Sequence, residues 1–204
     1  MIFARRHGIV IAALLLPLTA TVPVAQAQSF SNRRADDVDP ELRQSLQLAV
    51  SQASSFEDRF DAEVWLTDMS FRLSRQVPDA DERLHILRIV HQQATQADIP
   101  PELVLAVIDV ESNFDRFAIS DAFALGLMQI MPFWLQELRI GDGDFNELFS
   151  IDLNVLLGCR ILKYYLDMED GDLVQGLARY NGSTGRRWYA DRVLDRLRTK
   201  WFRF

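Results

Sequence analysis

Cysteine is nearly missing from this chain of 204 residues, where Cys159 stands alone. A single thiol cannot close an internal disulfide, so stability has to come from core packing. Cys159 falls inside an apolar helical pattern and reads as a small buried residue rather than a nucleophile. Histidine is scarce as well, with three copies. His85 and His91 are six residues apart, which turns them to different faces of a helix, whereas a helical metal pair needs a spacing of three or four. No metal and no cofactor is expected.

A long hydrophobic run is also lacking. The stretch from Ile9 to Leu18 reaches about half of the roughly 20 residues a membrane span requires. It follows Arg5, Arg6 and His7 and precedes Ala25-Gln26-Ala27, the order of a signal peptide with a small-residue cleavage site, which predicts a leader over 1–27. No cysteine follows that site, so a lipid-anchored form is not supported, and no stable membrane span is expected after cleavage. The mature protein is expected in the periplasm or outside the cell. Positive charge is in deficit: 22 Lys and Arg against 29 Asp and Glu give a net charge of −7, which argues against nucleic acid as a partner. The basic cluster at the end (Arg186, Arg187, Arg192, Arg196, Arg198, Lys200, Arg203) alternates with Val193, Leu194, Leu197 and Trp201 and reads as the solvated face of an amphipathic helix.

Repeats, low-complexity segments and alternating strand patterns are absent, apart from an ambiguity around Leu125 to Met131, so the fold class is all-α. Polar residues over 28–40 suggest a linker. A helical region over 41–97 follows: Leu42, Leu46, Ala49, Ala53, Phe56 and Phe60 recur at steps of three and four, and Val64, Trp65, Met69 and Leu73 continue the stripe. Pro78 ends it, and Asp79 or Asp81 can cap a helix to about Ala97 with Ile86, Leu87, Val90 and Ala94 buried. Pro100-Pro101-Glu102 starts a helix to about Ser112. Others are predicted from Asp152, with Leu153, Leu156, Leu157, Ile161, Tyr164, Tyr165 and Met168 on one face, from Asp172 to about Tyr180, and from Arg187 to Phe202.

One carboxylate stands where the core should be. On the helix from Pro101, Val104, Val107 and Ile108 form an apolar stripe, Glu111 takes its next place and Phe114 follows. A general acid must hold its proton near pH 7, so a carboxyl that titrates near 4.3 in water has to be raised at a cost of about 3.7 kcal/mol. Burial can do this. Glu102 and Glu137, whose settings suggest exposure, cannot act in that way. Further on, Gln129 places one amide in the apolar run Gly126-Leu127-Met128-Gln129-Ile130-Met131, where it needs partners: core backbone groups or the polar groups of a sugar.

With these residues in view, the sequence resembles the soluble lytic transglycosylase family. Glu111-Ser112, Ser120, Gly126-Leu127-Met128-Gln129 with Met131, and Tyr180-Asn181-Gly182 occur in the family's order, between about Ile99 and Leu194. The resemblance implies a lysozyme-like domain over 98–204 that cuts peptidoglycan strands. Glu111 would protonate the scissile oxygen and then, as a base, activate the muramoyl C6 hydroxyl, leaving a 1,6-anhydromuramoyl end without a second carboxylate. It further implies that Ser120 and Gln129 bind sugar, that Met131 lines the cleft and that Tyr180 hydrogen-bonds near Glu111. Asn181 belongs to the same substrate-side group, although its turn setting suits loop shaping. Two departures stand out: Phe123-Ala124 where the family commonly has Gly-Ala, and Arg186 where some members carry an acidic residue. Asp115 could serve as a second carboxylate but reads as a helix-end or loop residue beside Arg116. A lysozyme-like hydrolase and a non-catalytic glycan-binding scaffold remain alternatives. No motif accounts for 41–97, which is expected to form a collar on the catalytic part or to dock a partner in a cell-wall or secretion assembly.

Overall fold

A computed structural model describes Pro40, residues 59–141 and residues 143–202. The leader, the linker and the apolar stripe from Leu42 to Phe56 lie outside the described residues. Seven α-helices and one 3-10 helix occur among those described: α1 (Arg59–Leu73), α2 (Ala80–Gln96), α3 (Pro101–Glu111), α4 (Phe133–Leu138), the 3-10 turn Phe145–Phe149, α5 (Ile151–Met168), α6 (Leu173–Asn181) and α7 (Trp188–Thr199). The ambiguous stretch after Leu125 is a set of turns fastened by two single antiparallel bridges, Ile119 to Leu125 and Leu125 to Ile130.

α3 runs through the core. Every residue from Leu103 to Ile108 is buried, so the helix is apolar all round rather than striped, as befits a helix wrapped by others. α7 and α2 pack directly on it, and α5 packs on α2 and α6. Local chemistry sets the ends of these helices. Asp79 accepts from the Glu82 amide at 2.8 Å to cap α2, and Asp172 accepts from Val174 and Gln175 to cap α6. α6 stops where Gly182 takes φ 75°.

Three expectations are corrected. Glu102 is buried, because α1 lies over it and the Trp65 indole donates to its carboxylate at 2.9 Å. Met168 is exposed, since α5 reaches the surface in its last turn. The C-terminal helix ends at Thr199, beyond which the chain turns so that Trp201 enters the core.

The part of 41–97 that is described packs on the rest. Arg72 of α1 donates to the carbonyls of Lys200 and Phe202, and Gln76 donates to Asn113 at 2.6 Å. His85 pairs with Asp152, and the His91 ring lies 5.1 Å from that of Trp65. Cys159 is buried on α5, and burial pushes its thiol up to about 12.

Candidate active site

Glu111 is the last residue of α3, at the point where the central helix reaches partial exposure. The Tyr189 hydroxyl of α7 donates to its Oε1 at 2.6 Å, across 78 residues of sequence. The Asn181 amide, at the end of α6, hydrogen-bonds it from another side, and Arg192 of α7 contributes positive charge. Burial dominates: it raises the carboxyl from 4.5 to about 7 against the opposing pull of Tyr189, Arg192 and Asn181. The C-terminal end of a helix dipole also favours the neutral acid. Burial, and then the nearness of Glu111, hold the Tyr180 and Tyr189 phenols well above their usual range, so both serve as hydrogen-bond donors.

The chain turns sharply after the acid. Asn113 and Phe114 both take positive φ, 52° and 66°, a conformation that costs non-glycine residues of the order of 1 kcal/mol or more each. Phe114 is repaid by burial, its ring 5.3 Å from Trp201.

The motifs noticed in the sequence are one hydrogen-bonded assembly. The Ser112 hydroxyl donates to the Leu127 carbonyl at 2.8 Å, and the Tyr180 hydroxyl donates to the Met128 carbonyl at 2.7 Å. Gln129 Nε2 donates to Gly126 at 2.9 Å and to Ala118 at 3.3 Å. From below, buried Asn154 of α5 accepts from the Met128 amide at 2.7 Å and donates to the carbonyls of Leu125 and Leu148. Gly126 is required here twice over: its φ is 77°, and a Cβ would stand 2.3 Å from Asn154 Nδ2. Gly158 allows Met128 to lie on α5, where a Cβ would meet the Met128 sulfur at 2.3 Å.

Each anticipated site residue can now be placed. Glu111, Asn181 and Tyr180 come together, but the phenol that reaches Glu111 belongs to Tyr189, while that of Tyr180 holds the Met128 carbonyl. Gln129 commits its amide nitrogen to backbone, which leaves its carbonyl oxygen as the atom available to a sugar. Ser120 shapes its own loop, its Oγ accepting from Ala124 at 2.9 Å, so its hydroxyl proton is what it can offer. Met131 is partly buried against the core. Asp115 is exposed and accepts from the Phe117 amide, a loop-capping role. A separate hollow of 270 Å³ between α2 and α5, lined by Gln93, Asp152 and Leu156 among others, contains none of these residues.

Residues 88–197 match the Transglycosylase SLT domain family, more than half of the chain. The chain belongs to this family. It is 29% identical to membrane-bound lytic murein transglycosylase C of Sodalis glossinidius over 119 residues, which cover 52% of this chain and 33% of that protein. The protein of the same name from Yersinia pestis is 29% identical over 133 residues, 57% of this chain and 37% of its own. The chain therefore spans about a third of the length of these relatives. The solved structure of lytic transglycosylase Slt from Pseudomonas aeruginosa aligns with a TM-score of 0.46 and 19% identity, over 87% of this chain and 38% of that one.

Phe123 stands at φ 64° in the turn closed by Ser120, a conformation that glycine adopts more readily. Its half-exposed ring packs edge-on against Phe145 at 5.6 Å. Tyr189 was not singled out from sequence, although one signal was present: a phenol on the inward side of the last helix must find a partner when buried.

Proposed function

We propose that the chain is a lytic transglycosylase that cuts the β-1,4 bond between N-acetylmuramic acid and N-acetylglucosamine in peptidoglycan. Glu111, protonated near neutral pH, donates to the scissile oxygen. As a carboxylate it then takes the proton of the muramoyl C6 hydroxyl, which closes on the anomeric carbon to give a 1,6-anhydromuramoyl end. The observation that carries this reading is a carboxyl raised by burial to about 7 and held by the Tyr189 phenol, which can donate to the carboxylate formed midway. Two other carboxylates on α3 have different partners, Glu102 the Trp65 indole and Asp109 the C-terminal segment. The Ser120 hydroxyl, the Gln129 carbonyl oxygen and Met131 are assigned to the sugar side. Asn181 is assigned to orienting Glu111 rather than to the substrate directly.

Export to the periplasm or beyond accords with the leader-like 1–27 and with relatives named for murein, and no helix among the described residues is long and apolar enough to cross a membrane. Mass analysis of digested peptidoglycan tests the reaction. Anhydro ends are expected; reducing ends would identify a hydrolase, and an absence of fragments would leave a binding scaffold.

A further inference from the structure

α7 buries Tyr189, Ala190 and Val193, packs Leu194 and Leu197 partly against the core and exposes most of its other positions. Trp188 and Arg192 are four residues apart on that outer side, so they are neighbours one turn from each other. Trp188 is 48% exposed, Arg192 is exposed, and between them in sequence lies Tyr189, whose hydroxyl contacts Glu111. The Arg192 charge also acts on Glu111, which puts this side of α7 near the acid. The Trp188 ring sits 5.9 Å from that of Tyr189 and nearly perpendicular to it, which leaves the indole with open surface.

The charges sort unevenly. Arg187 is matched by Asp191 at 3.4 Å, Arg198 by Asp195 at 3.0 Å and Arg196 by Asp109 at 3.5 Å. Arg186 and Arg192 have no carboxylate of another residue within ion-pair distance among the described residues, in a chain whose acids outnumber its bases. Arg186 follows the Asn181–Gly185 turn and is exposed two residues before Trp188.

We infer that Arg186, Trp188 and Arg192 form a subsite for a carboxylate carried on the muramoyl substituent beside the scissile bond, with the indole against the apolar side of that substituent. The inference rests on the transglycosylase reading. A carboxylate there has two sources: the stem peptide, or the lactyl group of muramic acid once the peptide has been removed. Both present the same anion to a guanidinium fork.

The test compares KM on three preparations of glycan strand: peptide-bearing strands with free carboxylates, the same strands with those carboxylates amidated, and strands stripped of peptide by an amidase. The parent is expected to show a KM about fivefold lower on free than on amidated strands, the scale of an exposed ion pair. Arg192→Gln and Arg186→Gln should each bring that ratio toward one, and Arg192→Lys should keep most of it. Because each ratio is taken within one protein, an effect of Arg192 on Glu111 cancels. Stripped strands that bind as well as free ones add the lactyl carboxylate as a second occupant of the subsite; stripped strands that bind as poorly as amidated ones confine it to the stem peptide. Equal KM values for free and amidated strands in the parent, or a ratio unchanged in both glutamine variants, would overturn the subsite. A parent that cuts none of the three would remove the transglycosylase reading and the subsite with it.

Discussion

Asp109 and Glu111 are two residues apart on the same helix and meet opposite treatment. Asp109 is buried, accepts from the Trp201 indole at 2.8 Å and from Lys200 at 3.0 Å, and has Arg196 at 3.5 Å. Glu111 receives a phenol, an amide and the nearby charge of Arg192, in surroundings whose burial outweighs all three. The same functional group on the same turn is a structural anchor at one position and, in the proposed reaction, a proton carrier at the other. What decides is the partner set: two cations and an indole tie Asp109 to the C-terminal segment, whereas Glu111 is left able to release and regain a proton near neutrality.

Neutralising each carboxylate in turn separates the two residues most sharply. Glu111→Gln should lower cleavage of peptidoglycan by about 10² to 10⁴-fold, the usual worth of a general acid. Release of soluble fragments is the measure, and a variant retaining a tenth of the parent rate would shift the acid role elsewhere. The same variant should be more stable than the parent in alkaline solution. Between pH 4.5 and about 7 the folded carboxyl keeps its proton while the unfolded one loses it, so its stabilising contribution is full below 4.5 and is lost as the pH rises through 7. The gain from Glu111→Gln should thus reach about 2–3 kcal/mol at pH 8 and vanish near pH 4, as read by urea unfolding at the two pH values.

Asp109→Asn should do the reverse. It removes the charge that holds Lys200 and Arg196, and should destabilise the fold by about 2 kcal/mol in the same urea experiment while lowering saturated cleavage much less than Glu111→Gln does. Tyr189→Phe should have the smallest of these effects. Without the phenol the carboxylate form loses a donor, so the alkaline limb of the pH–rate profile should move up by about one pH unit, with kcat falling more than KM changes.

The sequence made the helices and the acid legible for concrete reasons. Asp79, Pro101, Asp172 and Gly182 are local signals that act within one turn, and they mark the ends of α2, α3 and α6. Glu111 showed itself by interrupting an apolar pattern, and the Ser112, Gly126–Gln129 and Tyr180 motifs bond to one another in the fold. What stayed hidden depends on how helices cross. That Tyr189 rather than Tyr180 reaches Glu111 follows from the packing of α7 on α3, which no local spacing reports. Glu102 read as exposed because its cover, Trp65, lies 37 residues earlier. Asp109 gave no signal at all, since its partners stand beyond the end of α7 or on its outer side.

Whether Glu111 holds its proton close to pH 7 is read most simply by titrating its carboxyl with carbon NMR on glutamate-labelled protein. A midpoint for this one carboxyl near 7, absent from the Glu111→Gln spectrum and shifted upward in Tyr189→Phe, is expected. A midpoint near 4.5 would contradict it.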